Sequence, residues 1–432
     1  MHAIPEIEKK SLADIKLFQE AKLKELLIYL NQHSVFYKNL FSSKGINVSQ
    51  IKTLDDLRSI PVTTKDDLYN FNKDFICVKP EKIIDYVTTS GTLGDPLTFA
   101  LTDKDLERLA YNEMISLQCT EANEKDIFQL MTTLDKRFMA GMAYFLGIKK
   151  MGGGVIRVGN GVPEFQWDTI ARLNPTIAIA VPSFILKLIE YAEQNKIDYK
   201  SSSIKKIICI GEAIRHADFS LNTLGKRIKD KWDIELFSTY ASTEMGAAFT
   251  ECTHGQGGHH HPELLIAEFL DDNNNPVKKG QAGELTITTL NVEGMPLLRF
   301  KTGDICIAHE ERCKCGRTSL RISPIIGRKQ HMIKFKGTTL YPPALYEILN
   351  NIDYVKNYIV EVFTNDIETD EILITIGVNN APPDFEKELK DHFRAKLRVA
   401  PNIKMDTVEN IAKIQFPAMG RKAILFFDRR KY

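Results

Sequence analysis

The feature that most constrains this chain is an alternation of short apolar runs with helix-periodic segments between residues 126 and 240. The apolar runs include residues 127–131, 177–181 and 207–210, and a segment with apolar residues at helical spacing follows each of them. Repeated strand–helix units form largely parallel sheets whose faces are covered by helices. The pattern therefore predicts an α/β fold.

The segments on either side of this alternation have other patterns. The first 75 or so residues are helix-periodic, and residues 284–289 alternate like a half-buried strand of an antiparallel extension. From Gly327 onwards, two strand-like runs precede a helix-periodic segment. We predict a large N-terminal domain over residues 1–326, with parallel sheets covered by helices, and a small α+β C-terminal domain over residues 327–432.

Composition excludes several classes of protein. Of the 432 residues, 43% are hydrophobic and 26% are charged, which is ordinary for a globular chain. The 57 basic and 56 acidic residues leave a net charge of +1, so we expect neither a nucleic-acid nor a membrane partner. The sequence shows neither the apolar core of a signal peptide nor an apolar stretch long enough to cross a membrane, which predicts a cytoplasmic protein. The seven cysteines are an odd number and do not suggest a disulfide framework.

Residues 88–96 (TTSGTLGDP) place hydroxyl side chains and glycines between two strand-like runs. Glycine lets the backbone approach a ligand, and hydroxyls with free N–H groups suit phosphate oxygens. We interpret Ser90, Gly91 and Thr92 as candidate phosphate-binding residues. The alternative is a Gly/Thr-rich β-hairpin turn without a ligand, and the segment matches neither the GxxxxGK[ST] loop nor GxGxxG.

Further motifs follow in order along the chain. Residues 240–246 (YASTEMG) offer an aromatic face, two hydroxyls and a carboxylate, and residues 299–304 (RFKTGD) end in a carboxylate after a glycine. Gly327-Arg328 opens the smaller domain, and Lys422 lies in a glycine-containing segment near the end of the chain. Each motif alone is consistent with a turn or a solvated surface pair, but their joint occurrence favours a functional site.

Together these motifs resemble those of the adenylate-forming acyl-CoA ligases, and most closely the phenylacetate–CoA ligase branch. The resemblance rests on TTSGTLGDP, YASTEMG, RFKTGD, GRKQHMIKFKG and the C-terminal GRKA, with ECTHGQGGH and CKCGR as features of the branch. It implies an enzyme that joins a small carboxylic acid to the α-phosphate of ATP and then passes the acyl group to coenzyme A. It also implies a mobile C-terminal domain that rotates between the two steps.

The resemblance assigns roles at the phosphates. Thr243 would bond the α-phosphate and Glu244 would hold Mg²⁺. Lys422 would place a positive charge at the oxygen shared by the acid and the α-phosphate. The loop Ser90-Gly91-Thr92 would wrap the β- and γ-phosphates.

The resemblance also assigns roles at the nucleoside. Tyr240 would stack on adenine, with Gly211-Glu212-Ala213 lining the other side, and Ser242 would belong to the same nucleotide-binding turn. Asp304 would accept both ribose hydroxyls, and Arg328 would meet the ribose or a phosphate.

Three positions depart from the family pattern. Asp95 replaces the usual loop lysine before proline, so direct charge assistance from that loop is not expected. Gln330-His331 replaces the usual acidic pair after the Gly-Arg of the hinge, and Ala241 replaces a common glycine.

Three cysteines and one histidine form a candidate structural zinc site. Cys313 and Cys315 make a CxC pair in a charged, glycine-ended segment, and Cys252 precedes His259 by a short loop. Relatives in the same branch carry such a cluster at matching positions. His254, His260 and His261 are alternative ligands, and the two adjacent histidines that do not bind metal are expected in a solvated loop. Buried free cysteines without metal are the alternative.

Two rival functions remain open. One is an adenylate-forming enzyme that uses an acceptor other than coenzyme A, and the other is a nucleotide-binding protein that has lost catalysis. An aryl or arylacetic acid is the substrate class that the resemblance implies, and a homodimer is a reasonable prior.

Overall fold

The computed structural model describes residues 4–89, 97–336, 338–365, 369–379, 381–416 and 423–430. The chain divides into two compact units, residues 1–325 and residues 326–432. In the part described, no helix is long and apolar enough to cross a membrane.

Helices of the first unit begin at sequence signals that satisfy their free N–H groups. Ser11 caps the first helix by accepting from the N–H of Asp14, and Thr102 with Asp105 forms a capping box at the fourth. Among the residues described, the helices of this unit are α1 (Leu12–His33), α2 (Val35–Ser43), α3 (Lys65–Asn70), α4 (Asp103–Cys119), α5 (Met139–Met151), α6 (Pro163–Leu173), α7 (Pro182–Gln194) and α8 (Thr223–Lys231).

Strands of the first unit form one antiparallel hairpin and one continuous large sheet. The hairpin is β1 (Ile83–Thr88) with β2 (Thr98–Thr102). The parallel part of the large sheet has the order β4-β3-β5-β6-β7, as the strand–helix alternation predicts. Its strands are β3 (Ile127–Leu130), β4 (Gly154–Arg157), β5 (Ile177–Ala180), β6 (Lys206–Cys209) and β7 (Glu235–Ser242).

The sheet continues from β7 with antiparallel strands in the order β7-β8-β9-β13-β12-β11-β10. These strands are β8 (Ala247–Glu251), β9 (Gly258–His259), β10 (Leu265–Leu270), β11 (Ala282–Thr289), β12 (Phe300–His309) and β13 (Arg321–Ile322). The turn between β7 and β8 therefore lies where the sheet changes from parallel to antiparallel pairing.

Strand β5 shows how the parallel part is buried on both faces. Ala178 and Ala180 belong to one apolar cluster with α7, whereas Ile177 and Ile179 belong to a second cluster with α5. All four residues are completely buried, as expected for a parallel strand covered on both sides by helices.

The second unit is a smaller α+β body. Its main sheet has the order β19-β18-β17-β20, in which β17 and β18 are antiparallel and the outer pairs are parallel. Its described elements are β14 (Gly327–Arg328), β15 (Ile333–Phe335), β16 (Thr338–Leu340), α9 (Pro342–Asn350), β17 (Val355–Thr364), β18 (Asp370–Val378), α10 (Phe385–Leu397), β19 (Asn402–Asp406), α11 (Val408–Gln415) and β20 (Phe426–Asp428). The predicted α/β class with a smaller C-terminal body is confirmed.

Candidate functional site

The candidate phosphate loop joins the two strands of the β1–β2 hairpin. Ser90, Gly91 and Thr92 lie outside the described residues, as does Asp95. The two ends of the loop are held together, because the N–H of Thr89 donates to the carbonyl oxygen of Leu97 at 3.0 Å. The sequence prediction of strands on both sides of this loop is therefore confirmed.

A strained turn supports the base of the same hairpin. The N–H of Thr88 donates to the carbonyl oxygen of Arg137 at 3.0 Å. Lys136 and Arg137 both have left-handed backbones, with φ of 58° and 57°. Such a conformation costs roughly 1–2 kcal/mol per non-glycine residue, and it occurs often at functional sites. This turn could not be predicted from the sequence, because neither residue is a glycine or an asparagine.

The turn between β7 and β8 carries Thr243 and Glu244. Its shape is set by two hydrogen bonds to Ser242, since the N–H of Met245 donates to Oγ at 3.3 Å and the N–H of Gly246 to the carbonyl oxygen at 3.2 Å. Arg108 of α4 adds a third restraint by donating from Nη1 to the carbonyl oxygen of Gly246 at 2.7 Å. Ser242 therefore shapes the turn that presents Thr243 and Glu244.

Thr243 and Glu244 line an open pocket at the surface of the first unit. Arg108 and Asp105 are its other charged residues. The rest of the lining is mainly apolar and includes Phe99, Leu101, Leu109, Met139, Met245, Val292 and Met295. The turn thus places a hydroxyl and a carboxylate at the edge of an apolar space.

Tyr240 and Asp304 lie side by side although they come from distant strands. The Oη of Tyr240 in β7 donates to Oδ2 of Asp304 in β12 at 2.6 Å. Asp304 is 6% exposed, and the N–H of Asp304 donates to Oγ1 of Thr302 at 3.1 Å. Burial, together with the charge of Asp304, raises the pKa of Tyr240 well above its usual value, so the phenol remains a donor at neutral pH.

The carboxylate of Glu212 accepts hydrogen bonds from the start of a helix. Ser183, at the start of α7, donates to it from both the backbone N–H and Oγ, each at 2.9 Å. A carboxylate is favourable at this position because the N–H groups at a helix start carry partial positive charge. Gly211 has φ of 76°, a backbone conformation that favours glycine, so the segment Gly211-Glu212-Ala213 would meet a ligand through its backbone.

Lys65 is a neighbour of this site that sequence reasoning missed. Its Nζ lies 3.8 Å from Oε1 of Glu244. The lysine is at the start of α3, far from Glu244 along the chain, and its surrounding sequence VTTKDD resembles an ordinary helix start. Only the three-dimensional packing identifies it.

The remaining predicted nucleotide residues belong to the second unit. Arg328 lies in β14, and Lys422 lies outside the described residues. The described chain resumes at residue 423, and β20 then pairs in parallel with β17. The segment that follows Lys422 is thus held in the sheet of the second unit.

Cys252, His259, Cys313 and Cys315 form a compact cluster in the first unit. Their candidate ligand atoms all lie within 4.8 Å of one another. Cys252 follows β8, His259 ends β9, and the CxC pair lies in the connection between β12 and β13. Four neighbouring strands of the antiparallel part, β8, β9, β13 and β12, therefore bring the four residues together.

The spacing within this cluster fits a tetrahedral zinc ion. Bonds of about 2.3 Å to sulfur and about 2.0 Å to nitrogen would place two sulfurs about 3.8 Å apart, and a sulfur and a nitrogen about 3.5 Å apart. The Sγ atoms of Cys252 and Cys313 are 3.7 Å apart, and Sγ of Cys315 is 3.5 Å from Nε2 of His259. Burial lowers the pKa of His259, which favours the neutral ring that a metal requires.

The other histidines have different partners. His260 is buried against Phe249, its Nε2 lies 2.7 Å from the carbonyl oxygen of Leu265, and burial lowers its pKa to about 4. His261 is 1% exposed, and His254 is exposed and outside the cluster. The prediction that the two non-ligand histidines lie in a solvated loop is therefore wrong, because both are packed inside the unit.

A buried ion pair supports the cluster from the N-terminal segment. Glu8 is completely buried, and its two carboxylate oxygens lie 2.5 Å from Nδ1 of His261 and 2.5 Å from Nε of Arg317. Arg317 in turn donates from Nη1 to Sγ of Cys315 at 3.6 Å. Burial alone would raise the pKa of Glu8, but the interactions of its carboxylate with His261 and Arg317 lower the pKa below the usual value. Sequence reasoning missed Glu8.

The chain is similar in sequence to a known family and to known enzymes. The family model of the AMP-binding enzymes matches residues 20–294. The phenylacetate–coenzyme A ligase of Thermus thermophilus is 27% identical over 383 residues, covering 87% of this chain and 84% of the relative. The enzyme of the same name from Escherichia coli is 27% identical over 369 residues, covering 82% and 81%.

A solved structure is similar in fold over nearly the whole chain. It is a 2-hydroxyisobutyryl-CoA ligase in the postadenylation state in complex with 2-HIB-AMP, with a TM-score of 0.85 and 21% identity, covering 98% of this chain and 91% of that one. This likeness supports the α/β architecture with a smaller C-terminal body. The prediction that the chain is an enzyme is confirmed, and the chain belongs to the AMP-binding enzyme family, in its phenylacetate–CoA ligase-like branch.

Proposed function

We propose that this chain is an ATP-dependent acid–CoA ligase that forms an acyl-adenylate from a small carboxylic acid and transfers the acyl group to coenzyme A. The products are the acyl-CoA, AMP and pyrophosphate. The observation that carries the proposal is the hydrogen bond between Tyr240 and Asp304 in the first unit, which also presents Thr243 and Glu244 at an apolar pocket. Similarity to phenylacetate–CoA ligases over most of the chain supports it.

In this proposal the nucleoside is bound by the paired residues of β7 and β12. The ring of Tyr240 stacks on adenine while its Oη holds Asp304 in place. A carboxylate offers about four acceptor sites, so Asp304 accepts from Tyr240 and from ribose hydroxyls together. The backbone of residues 211–213 lines the opposite side of the base.

The first step forms a bond between a carboxylate oxygen of the acid and the α-phosphorus, and breaks the bond from that phosphorus to the pyrophosphate oxygen. Thr243 donates to the α-phosphate, and Lys422 stabilises the charge on the reacting oxygens. Glu244 would hold Mg²⁺, which supplies charge neutralisation at the phosphates. In the second step the thiol of coenzyme A loses its proton to solvent, its sulfur attacks the acyl carbon, and AMP leaves with the bonding electron pair.

The lining of the pocket favours a compact apolar acid. Phe99, Leu109 and Met139 offer apolar contacts, and polar groups come from the turn that carries Thr243 and Glu244 and from Asp105 and Arg108 of α4. Two relatives are named for phenylacetate. An aryl or arylacetic acid is therefore the proposed substrate class.

We also propose that Cys252, His259, Cys313 and Cys315 hold one structural zinc ion. Four protein ligands close the coordination sphere, so the ion would brace the loops without binding substrate. Strand β8 runs directly from Gly246 of the nucleotide turn to Cys252. The metal would thereby fix one end of the strand whose other end begins at the proposed active site.

Acid-dependent exchange of labelled pyrophosphate into ATP tests the first step over a panel of aryl, arylacetic and short aliphatic acids. Exchange with one class and none with the others identifies the acid. Adding coenzyme A should then give the acyl-CoA and one AMP per acid consumed. Exchange without thioester formation would indicate another acceptor, and no exchange with any acid would indicate a protein without this activity.

A further inference from the structure

Lys65 provides a positive charge next to the proposed magnesium ligand. Its Nζ lies 3.8 Å from Oε1 of Glu244, whose side chain is 9% exposed, whereas that of Lys65 is 40% exposed. An ion pair at a fully solvated surface contributes little to stability, with a median of about 0–1 kcal/mol. The Lys65–Glu244 pair differs from a solvated pair, because the carboxylate of Glu244 is nearly buried and lines the pocket of the first unit.

The backbone that carries Lys65 is fixed against the strand that carries Asp304. The N–H of Thr63 donates to the carbonyl oxygen of Arg299 at 2.9 Å, and the N–H of Lys301 donates to the carbonyl oxygen of Thr63 at 2.9 Å. Thr63 also donates from Oγ1 to the carbonyl oxygen of Leu298 at 2.8 Å. The segment is therefore anchored to β12 and to the residues just before it.

The next residue completes this anchoring. Thr64 caps α3 in a capping box with Asp67, so the helix start is fixed on both sides of the Thr64–Lys65 bond. The backbone at Lys65 is therefore fixed, and only the side chain of Lys65 can change its conformation.

Binding of ATP near Glu244 would be favoured by a positively charged side chain. ATP brings several negative charges on its β- and γ-phosphates, and metal ions in such sites bridge phosphate oxygens. The phosphate loop has Asp95 where the resembling family has a lysine, so the loop itself brings no cation to that position. An ammonium group within reach of a magnesium carboxylate is also within reach of phosphate oxygens bound to that magnesium.

We propose that Lys65 binds the terminal phosphates of ATP, and the pyrophosphate that leaves, in place of the missing loop lysine. The inference rests on the proposed function, since it takes Glu244 as the magnesium ligand. Without nucleotide, the ammonium lies against Glu244, as the structure shows. With Mg–ATP bound, Glu244 would hold the metal, and the ammonium of Lys65 would then be released to donate to phosphate oxygens.

Calorimetry with Mg–ATP, with AMP and with Mg–pyrophosphate tests this assignment without an acid substrate. The variants are Lys65→Ala and Lys65→Arg, with Lys73→Ala as a matched control at an exposed lysine of the same N-terminal region. Lys65→Ala should weaken Mg–ATP and Mg–pyrophosphate about 10–100-fold, as the loss of a charge-assisted hydrogen bond does. It should change the affinity for AMP less than about twofold. Lys65→Arg should recover much of the affinity, and Lys73→Ala should match the wild type.

Several outcomes would overturn the proposal. Equal weakening of ATP and AMP by Lys65→Ala would mean that the lysine only supports the fold. Unchanged or tighter Mg–ATP binding would mean that it merely neutralises Glu244 and competes with the metal. A wild-type protein that binds neither ATP nor AMP would refute the proposed function itself, whereas normal wild-type binding with an unaffected Lys65→Ala variant refutes only the role of Lys65.

Discussion

Oη of Tyr240 donates a hydrogen bond of 2.6 Å to Oδ2 of Asp304, and this bond joins strands β7 and β12, which have β8, β9 and β13 between them in the order of the sheet. Tyr240, which is proposed to stack on adenine, thereby orients Asp304, which is proposed to bind ribose. The two motifs act as one unit in this arrangement, and their substitutions should not be independent.

Asp304→Ala should weaken ATP binding by about 100-fold, and Tyr240→Phe by about 10-fold, because the latter removes one hydrogen bond to a charged group. The double variant should be no worse than Asp304→Ala, since the bond is already lost. Isothermal calorimetry with ATP measures all three. The KM for the acid should stay within about threefold, and additive losses would show that the two residues do not cooperate.

Glu244→Gln should abolish turnover at the magnesium concentration that saturates the wild type while the protein stays folded, because a neutral amide holds Mg²⁺ poorly. In the pyrophosphate-exchange assay, the variant should need a higher magnesium concentration than the wild type. Excess ATP should not remove this difference. Glu235→Gln, at an exposed position of β7, is the control and should behave as the wild type. A Glu244→Gln variant with normal magnesium dependence would contradict the assignment.

One zinc ion per chain should be found by elemental analysis of protein purified without added metal. His259→Gln should lose the metal and lower the melting temperature, because metal binding is coupled to folding. His260→Gln is the matched control. His260 is adjacent to His259 and is also buried, but it lies outside the cluster, so this variant should keep the metal. Metal-free protein with freely titratable thiols at Cys252, Cys313 and Cys315 would exclude the site.

Lys422→Ala should reduce acid-dependent pyrophosphate exchange at least about a hundredfold, which corresponds to the loss of one preorganised charge-stabilising group. Formation of acyl-CoA from a presynthesised acyl-adenylate should fall only a few-fold. The comparison of the two half-reactions is the measurement. Equal losses in both would assign the lysine a structural role instead.

Glu113 of α4 should make stability depend on pH. It is fully buried with Asn112 as its hydrogen-bond partner, and burial raises its pKa to about 8. A raised carboxyl pKa favours folding below the unfolded value of about 4.3, and that contribution is lost as the pH rises to about 8. Urea unfolding should therefore show stability falling by up to about 1.4 kcal/mol per pH unit across this window.

Glu113→Gln should remove this slope, because the amide does not titrate. Glu107→Gln, at an exposed position of the same helix, should leave it in place. A slope that persists in Glu113→Gln would mean that another group is responsible.

Local patterns were sufficient to predict much of the fold. Residues 177–181 form an apolar run that a helix-periodic segment follows, and the structure has β5 and α7 there. These predictions succeed because burial of a central strand and the start of a helix depend on neighbouring residues. The cluster of three cysteines and His259 was also predictable, because the resembling branch carries such a cluster at matching positions, although the residues alone left His254, His260 and His261 as alternatives.

The contacts that were missed depend on packing between distant segments. Lys65 meets Glu244, and Glu8 meets Arg317, across long stretches of chain. A lysine or glutamate in a helix start usually faces solvent, so sequence alone gives no reason to select these two. The same limit applied to His260 and His261, whose burial follows from strands that lie next to each other only in the folded sheet.

The buried pair of Glu8 and Arg317 has a practical consequence for handling this protein. Trimming the chain up to Lys10, or fusing a tag so that this segment cannot dock, would leave Arg317 buried beside Cys315 without its carboxylate. Removing one member of a buried pair costs about 3–5 kcal/mol, enough to shift a marginally stable protein towards aggregation during expression. Expression plasmids should therefore keep the first ten residues intact and carry any purification handle on a long flexible linker.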